Sequence, residues 1–451
     1  MRYTIFLFGS FLLVPASILL ASLSRRVREL VFGLLVFGTA FTDRYDINFV
    51  ERWWYAGSTR GIEISFIDLL ALVLLFSTLV MMRREGARLF WPASLGLMLV
   101  YFGYGCLSVG TSYPKIFGFF ELTKLLRGLL VFLAVAFHVR TKRDAFILIF
   151  ALGAVFTYEG GLAVWQRYTG AMFRVRGTFP HENTLGDYCV LGGPVLLAMS
   201  LSAVVRPPIR IFCAVAWTSA AVAVILTISR MPSVAFLATS AAVLVTAYEF
   251  QLDMRRIALV LALGVLMCGL FYRGLDKLEE RHQAASPDGV VEGLRADHYS
   301  MGSRMASDHP FGVGLNNWAW YYHDYDLASG TSPYESTTEP GHGHHATVGH
   351  TLYGVTLGEL GWPGLLILAA LIWRWLSLSA SLFLVKNRDL WSRIGVGCFF
   401  GFAGVFLGNG TEITFRNQQI FIIFNVLLGL MVAARRLRRM DGNQRATVPA
   451  R

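Results

Sequence analysis

The sequence predicts an all-α protein that crosses a membrane many times. Hydrophobic residues make up 55% of the 451-residue chain and charged residues only 15%, whereas soluble domains carry roughly 25% charged residues. Apolar runs of about 18–20 residues, the length that a spanning helix requires, recur along the chain. The net charge of +11 comes from short basic clusters between these runs, which is typical of membrane proteins. We therefore expect the lipid bilayer, and no nucleic acid, as a partner.

Thirteen apolar runs are candidate transmembrane helices, and the count falls to twelve if one of the two short runs at the N-terminus is re-entrant. In chain order, the runs cover residues 5–23, 30–41, 68–82, 90–109, 122–139, 145–165, 185–205, 211–228, 233–250, 257–272, 351–378, 394–407 and 418–434. Basic clusters fall on alternate connections between the runs. The positive-inside rule therefore assigns all these clusters to the cytoplasmic face and predicts that the N-terminus lies outside.

The spans predict a single transmembrane domain over residues 1–434. Residues 273–349 form a long polar segment, which we expect to be an outer loop, periplasmic in a bacterium, that carries short helices. Residues 435–451 form a basic tail on the cytoplasmic face. The five cysteines lie in or beside apolar runs without a pairing pattern, so we expect neither a disulfide framework nor a cysteine metal site.

Five arginines on the predicted outer face depart from the positive-inside pattern. One follows a span, two precede a span, one ends a span and one lies in the long loop: Arg167, Arg174, Arg176, Arg230 and Arg304. A guanidinium group binds phosphate through two parallel hydrogen bonds, and a helix start adds backbone N–H groups and positive partial charge. These arginines favour an anionic, lipid-linked substrate. The alternative is that they snorkel to the membrane interface and that Asn183 caps the following helix.

Four histidines lie close together at the end of the long loop, and the last of them opens a predicted span. They are His342, His344, His345 and His350. Imidazole is a general base near neutral pH, and the positive end of a helix dipole favours its neutral form. A histidine at the entrance to a spanning helix is unusual, because polar groups at a bilayer boundary need partners or a purpose, so His350 is a candidate functional residue. The alternatives for the other three are solvated loop residues or a metal site with Glu339, and we expect no metal.

A further group of charges begins another predicted span. Glu121, Lys124 and Arg127 follow one another at three-residue spacing, which favours a ladder of ion pairs within one helix. The alternative is that Lys124 or Arg127 also binds the phosphate groups. Glu412 and Arg416, between the last two spans, are expected at the same outer end of the protein.

Four short motifs follow one another in the second half of the chain. They are RVRGTFPHEN at 174–183, SR at 229–230, HPFGVG at 309–314, and a histidine at 350 followed by ELGWPG at 359–364. In this order they resemble the O-antigen ligase family of bacterial integral-membrane glycosyltransferases, which includes O-unit and exopolysaccharide polymerases. The resemblance implies transfer of a glycan from an undecaprenyl-diphosphate-linked donor to an acceptor hydroxyl, on the periplasmic side of the inner membrane. It also implies that no metal or other cofactor takes part.

The resemblance assigns roles to particular residues. It implies that Arg176 and Arg230 bind the diphosphate and that His350 is the catalytic base. The other members of the expected site are two further diphosphate-binding arginines and three supporting residues: Arg174, Arg304, Asn183, His345 and Glu359. The family often has His-Pro-Asn where this chain has HEN at 181–183. It often has His-Asn where this chain has His350 followed by threonine, so His345 stays open as the alternative base.

The acceptor and the protein class leave several hypotheses open. Lipid A-core as acceptor makes the protein an O-antigen ligase of lipopolysaccharide biosynthesis, and a second lipid-linked glycan makes it a polymerase. A protein acceptor makes it an O-oligosaccharyltransferase of the same family. The hypothesis from a different class is a transporter or flippase of lipid-linked oligosaccharide, which predicts internal repeats and charges deep within spans. The sequence has no evident repeat and its polar residues gather on one face, so we favour the glycosyltransferase.

Overall fold

Helices account for nearly all the regular structure. The computed structural model describes residues 2–42, 46–247, 289–325, 349–384 and 389–446. Within these ranges the α-helices are α1 Arg2–Leu23, α2 Arg25–Gly38, α3 Phe66–Arg84, α4 Leu95–Thr111, α5 Lys115–His138, α6 Lys142–Tyr168, α7 Glu182–Ser200, α8 Pro207–Thr227, α9 Arg230–Ala247, α10 Gly289–Asp308, α11 Trp318–Tyr325, α12 Leu352–Phe383, α13 Leu390–Gly408 and α14 Gln418–Ala446. Two 3-10 helices lie at Thr39–Phe41 and Thr414–Arg416. The strands β1 Ile47–Asn48 and β2 Glu63–Ile64 form one antiparallel pair.

The prediction of an all-α polytopic membrane protein is confirmed. Six helices in the described ranges are long and apolar enough to span a membrane, namely α3, α6, α8, α12, α13 and the Gln418–Met440 part of α14. Three apolar helical stretches are shorter: Phe8–Leu23, Leu95–Thr111 and Arg230–Thr246. Every predicted run that falls on described residues overlaps a helix, and the run at 257–272 lies outside them. The long polar segment carries α10 and α11, and α14 continues as a helix into the predicted basic tail.

α7 and α13 pack with their backbones close together. A Cβ atom on Gly401 of α13 would lie 2.2 Å from the carbonyl oxygen of Leu191, and one on Gly397 would lie 2.4 Å from the Cα atom of Val195. Glycine at such contacts lets apolar helices approach closely, which increases their van der Waals attraction. α7, which follows residues 174–183 in the chain, is therefore packed tightly against α13 along its middle and second half.

α12 contains a kink at Gly361. This glycine has a φ of +62°, in the left-handed region that favours glycine. Pro363 follows it within the helix, and a proline has no backbone N–H to donate to the carbonyl four residues earlier. The carbonyl of Glu359 therefore lacks its usual helical donor.

Residues 309–314 supply donors at this kink. The backbone N–H of Val313 donates to the carbonyl of Gly358 (3.0 Å), and that of Gly314 donates to the carbonyl of Glu359 (2.9 Å). The backbone of the HPFGVG motif thus closely approaches another helix of the same chain, and its N–H groups satisfy carbonyls at the kink.

Residues 409–417 connect the starts of three helices. Asn417 Nδ2 donates to Thr184 Oγ1 (2.8 Å) near the start of α7. The backbone N–H of Leu352, the first residue of α12, donates to the carbonyl of Asn409 (3.1 Å). α14 begins directly after this segment. We call this end of the bundle the His350 end.

Candidate functional site

A glutamine of α6 holds the backbone of residues 174–183, which we call the arginine segment. Gln166 Oε1 accepts hydrogen bonds from the backbone N–H groups of Arg176 (3.2 Å) and Gly177 (2.8 Å). Its Nε2 group donates to the carbonyl of Gly177 (2.8 Å). Because Gln166 is buried, water does not compete for these bonds. The peptide that carries Arg176 is therefore fixed against α6.

A carboxylate of α6 holds the next residue of the segment. Glu159 Oε2 accepts from the backbone N–H of Thr178 (3.1 Å), and its Oε1 accepts from the hydroxyl of the same threonine (2.7 Å). Glu159 is fully buried, and it lies about two helical turns from Gln166 on the same face of α6. Gly177 has a φ of +60°, and a Cβ atom there would lie 2.1 Å from Glu159 Oε2. The Arg-Gly-Thr motif therefore fits these two side chains of α6. Its glycine adopts the positive φ and leaves room for Glu159, and its threonine hydroxyl donates to the same carboxylate.

The two arginines of the segment have different surroundings. Arg176 is exposed, and its Nη1 group donates one long hydrogen bond to the carbonyl of Pro180 (3.5 Å). It takes part in none of the ion pairs formed between described residues. Arg174 forms an ion pair with Glu182, and its Nε group donates to the carbonyl of Thr227 (3.2 Å). The charge of Arg174 is therefore compensated within the protein, whereas Arg176 presents its guanidinium to the exterior.

The structure brings the arginine segment to the start of α9. Ser229 Oγ donates to Asn183 Oδ1 (2.6 Å), and the backbone N–H of Val175 donates to the carbonyl of Leu226 (3.3 Å). Arg230, the first residue of α9, is exposed beside this junction. Two of the predicted motifs therefore meet at the His350 end.

The alternative that Asn183 caps α7 is wrong. α7 begins at Glu182, and His181 is its N-cap residue. His181 Nδ1 accepts a hydrogen bond from the backbone N–H of Asn183 (3.2 Å). The side-chain oxygen of Asn183 instead accepts a hydrogen bond from the hydroxyl of Ser229, the residue that directly precedes α9. Asn183 therefore joins two segments rather than ending one helix.

His350 lies at the entrance to α12 and contacts a second histidine. Thr351 is the N-cap of α12, and its hydroxyl oxygen accepts from the backbone N–H of Gly354 (2.8 Å). The backbone N–H of His350 donates to Nδ1 of His298 in α10 (3.1 Å). The two imidazole rings are stacked, with centroids 5.4 Å apart and planes 19° apart. Burial, with a smaller contribution from His350, lowers the pKa of His298 to about 4.

Glu359 belongs to a group of four buried charges with Glu121, Lys124 and Arg416, which we call the buried charge cluster. Arg416 Nη1 lies 2.8 Å from Glu359 Oε2, and Arg416 Nη2 lies 3.4 Å from Glu121 Oε1. Lys124 Nζ lies 2.7 Å from Glu121 Oε2 and donates to the carbonyl of Arg416 (2.9 Å). The predicted Glu121–Lys124 pair is confirmed, and Arg416 is at the expected end. Two acids and two bases balance, so Glu359 acts as a partner of Arg416.

Arg127 binds a different set of carboxylates from the one the helical spacing suggested. Its Nε group lies 2.8 Å from Asp68 Oδ2, and its Nη groups lie 3.3 Å from Asp46 Oδ2 and 3.6 Å from Glu63 Oε2. These carboxylates come from α3 and the segment before it. Burial raises the pKa of Asp46 to about 7, although Arg127 and Gln418 act in the opposite direction. Arg127 therefore stabilises the fold of residues 46–68.

The other predicted residues are placed in part. Arg304 is half-buried on α10, and its buried Nε group has no hydrogen-bond partner among the residues that the structure describes. His345, with His342, His344 and Glu339 of the metal alternative, lies outside the described residues. Within the described ranges, no group of three or more His, Cys, Asp or Glu side chains is arranged to hold a metal ion.

Three features of this region were not predicted from the sequence. They are His298, the Glu359–Arg416 pair, and the hold of Glu159 and Gln166 on the arginine segment. Glu159 had a usable signal, because a charged residue inside an apolar run usually has a partner or a function. His298 had none, since a single histidine in a polar loop has no periodic neighbour to place it.

Comparison with known proteins agrees with the motif order. Residues 214–369 match the family model described as O-antigen ligase. The matched region runs from within α8 to just beyond the kink of α12, and it includes Arg230, Arg304, His350 and Glu359. The arginine segment precedes it. No curated protein sequence matches the chain.

Proposed function

We propose, on the premise that residues 214–369 belong to the O-antigen ligase family, that this membrane glycosyltransferase moves a glycan from an undecaprenyl-diphosphate-linked donor to an acceptor hydroxyl. We place the protein in a bacterial inner membrane, with its His350 end in the periplasm. The family match and the grouping of arginines with a histidine at one end of the bundle support this proposal.

The observation that carries the proposal is the setting of Arg176. Two buried side chains of α6 fix the backbone at this residue and just after it, while its guanidinium group is exposed and takes part in no ion pair between described residues. Arg230 begins α9 beside the same segment. Two exposed guanidinium groups at this end can stabilise the charge that develops on a diphosphate leaving group.

Arg304 and Arg174 have secondary parts in the proposed site. The buried Nε group of Arg304, with no partner in the described ranges, suits an anion because an unsatisfied buried donor is costly. Arg174 is paired with Glu182, so we assign it to shaping the arginine segment and only secondarily to the diphosphate. Asn183 supports the site through its bond to Ser229.

His350 is the proposed general base. The acceptor oxygen attacks the anomeric carbon of the first sugar of the donor, and His350 takes the proton of that hydroxyl. The bond from the anomeric carbon to the diphosphate oxygen breaks, and undecaprenyl diphosphate leaves with the bonding electron pair. Imidazole suits this step because it titrates near neutral pH. Glu359 supports the site by keeping Arg416 in place below it.

The test replaces each proposed residue and measures surface polysaccharide in a strain that lacks the chromosomal copy. We expect Arg176→Ala, Arg230→Ala and His350→Ala to abolish or strongly reduce the polysaccharide at normal protein levels. The matched control is Arg140→Ala, which removes an arginine paired with Glu85 at the other end of α5. Normal chain length and amount in all three variants would rule out the enzymatic hypothesis.

The deletion strain also separates the hypotheses on acceptor and class. Lipid A-core without any attached glycan indicates a ligase, and a single attached repeat indicates a polymerase. Unmodified protein acceptors with normal surface polysaccharide indicate a protein O-oligosaccharyltransferase. Loss of a transferase leaves the lipid-linked donor on the periplasmic face, whereas loss of a flippase leaves it on the cytoplasmic face. Accessibility of the accumulated donor to an added glycosidase distinguishes these two.

A further inference from the structure

His298 is a buried histidine that the proposed reaction does not use. The residue is only 2% exposed, and its ring contacts those of Trp318 (centroids 5.8 Å apart) and Tyr322 (6.1 Å). Both aromatic rings meet the imidazole edge-on, at 88° and 76°. The slot is therefore aromatic and tight, and an apolar side chain would fill it at lower cost than a polar one.

Two glycines bring α10 against the first turns of α12. A Cβ atom on Gly302 would lie 2.3 Å from the carbonyl oxygen of Gly354, and one on Gly354 would lie 3.2 Å from the carbonyl oxygen of His298. Further along, a Cβ atom on Gly358 would lie 2.9 Å from the sulfur of Met305. The two helices therefore run side by side in the same direction, and this contact sets the distance between His298 and the entrance to α12.

The hydrogen bond to His350 defines the state of His298. Since Nδ1 accepts from the backbone N–H of His350, Nδ1 carries no proton and the neutral ring is protonated at Nε2. The low pKa of His298 agrees with a neutral ring. Nε2 is buried without a hydrogen-bond partner in the described part of the chain. Within that part, the bond to His350 is thus the polar contact that accounts for a histidine in this slot.

We propose that His298 is a positioning residue, which fixes the backbone and the ring plane of His350 through the Nδ1 hydrogen bond and the stacked imidazole. This inference rests on the proposed role of His350 as general base. The chain reaches His350 from residues 326–348 and enters α12 only at Leu352. His298 therefore holds the residue in front of the helix, where the N-cap bond of Thr351 does not reach it. A base displaced by about 1 Å loses roughly 100-fold in rate.

The experiment compares three variants of the full-length protein in lipid nanodiscs. His298→Phe keeps an aromatic ring but removes the acceptor, His298→Asn keeps an acceptor oxygen near the Nδ1 position, and His298→Ala removes both. The donor is the polyprenyl-diphosphate-linked glycan that accumulates in the deletion strain. The acceptor is the lipid fraction of that strain. Initial rates give kcat and the KM for the donor, and thermal unfolding gives the stability of each variant.

We expect His298→Phe to lower kcat by roughly 10- to 100-fold and to leave the donor KM within about twofold, because the arginine segment is untouched. His298→Asn should recover most of the lost kcat. A wild-type kcat in His298→Phe would overturn the proposal. So would equal losses in His298→Asn and His298→Phe at equal thermal stability, because the bond to His350 would then be irrelevant.

A second readout does not depend on activity. Diethyl pyrocarbonate modifies neutral, accessible imidazole, and mass spectrometry reports its rate at His350 separately. We expect modification of His350 to accelerate several-fold in His298→Phe and His298→Ala, and to stay near the wild-type rate in His298→Asn. If His350→Ala retains full activity, the proposed role of His350 as general base fails, while the modification rates in the His298 variants still test the contact between the two histidines. If the modification rate is the same in all variants, the positioning role fails.

Discussion

Two groups of cationic side chains at the His350 end differ in how their charges are compensated. In the buried charge cluster, Lys124 and Arg416 each lie within 4 Å of a carboxylate and are shielded from solvent. In the arginine segment, the backbone around Arg176 is held by hydrogen bonds while its guanidinium is exposed. The charges of the first group compensate one another, whereas the second group presents the charge of Arg176 to the exterior.

The difference arises from what each group is attached to. The buried cations lie on α5 and on the 3-10 helix before α14, where apolar neighbours exclude water and an unpaired charge would be very costly. Arg176 lies on a loop, where its exposed charge stays hydrated and forms no ion pair with the residues that the structure describes. The position of its backbone is set by Gln166, which binds the N–H groups of Arg176 and Gly177, and by Glu159, which binds Thr178 two residues on. Four predictions test whether the two groups are as distinct as their contacts indicate.

The largest expected effect is the loss of stability in Arg416→Ala. This variant leaves Glu359 buried without its cation and removes Arg416, which with Lys124 is one of the two cations paired with Glu121 among the described residues. Breaking a buried ion pair from one side costs about 3–5 kcal/mol. We expect a strong fall in the Tm of the protein in detergent and a lower yield from membranes. The control Arg140→Ala breaks an exposed pair with Glu85, which is worth about 0–1 kcal/mol. A wild-type Tm in Arg416→Ala would show that the buried charge cluster does not stabilise the fold.

The second prediction concerns activity without stability. Arg176→Ala should lower the rate of transfer about 100- to 1000-fold, as loss of one oxyanion-stabilising donor does, while the Tm stays within error of the wild type because the side chain is exposed. Arg176→Lys should recover only part of the rate, because an ammonium group keeps the charge but not the paired donors. Equal activity of Arg176→Lys and wild type would show that charge alone is needed. A large fall in Tm would contradict the separation of the two groups.

The third prediction concerns stability and activity together. Glu159→Ala removes the acceptor of the backbone N–H of Thr178 and leaves the hydroxyl of this residue only the carbonyl of Ala40 as acceptor. An unsatisfied buried donor costs about 1–3 kcal/mol. We expect Tm and transfer rate to fall together, since the fixed backbone of the arginine segment is lost. Glu159→Gln retains an acceptor oxygen, so its Tm and transfer rate should lie between those of Glu159→Ala and those of the wild type. A fall in Tm with an unchanged rate would show that Arg176 does not need this hold.

The smallest expected effect is a change in pH dependence at Asp46. Its folded-state pKa, raised to about 7 by burial, exceeds the unfolded value of about 3.9, so the folded state binds more protons between these values. Stability from this group therefore declines as the pH rises from about 4 to about 7. Asp46→Asn should flatten this part of the Tm–pH profile and leave transfer rates unchanged. An identical profile in the variant and the wild type would show that Asp46 titrates as an ordinary carboxyl group.

The sequence predicted the elements of this fold better than the contacts between them. Apolar runs located the helices because each spanning helix must cover its own length of hydrocarbon. The pair between Glu359 and Arg416 was not predicted, since all of α13 separates the two residues and only tertiary packing brings them together. The bond from Asn183 to Ser229 replaced the expected helix cap for the same reason. Short-range rules place a side chain on a helix, and long-range packing decides its partner.

The docking of residues 309–314 on α12 has a consequence for the order of synthesis. Val313 and Gly314, which donate to the carbonyls of the kink, leave the ribosome before Gly358 and Glu359 do. The backbone partners of the kink are therefore already made when α12 emerges, and nothing later in the chain is required for them. Arg416, in contrast, is made only after α13. A nascent chain halted after α12 and before Arg416 would therefore contain the donors for the carbonyls of the kink, but not the cation that pairs with the carboxylate of Glu359.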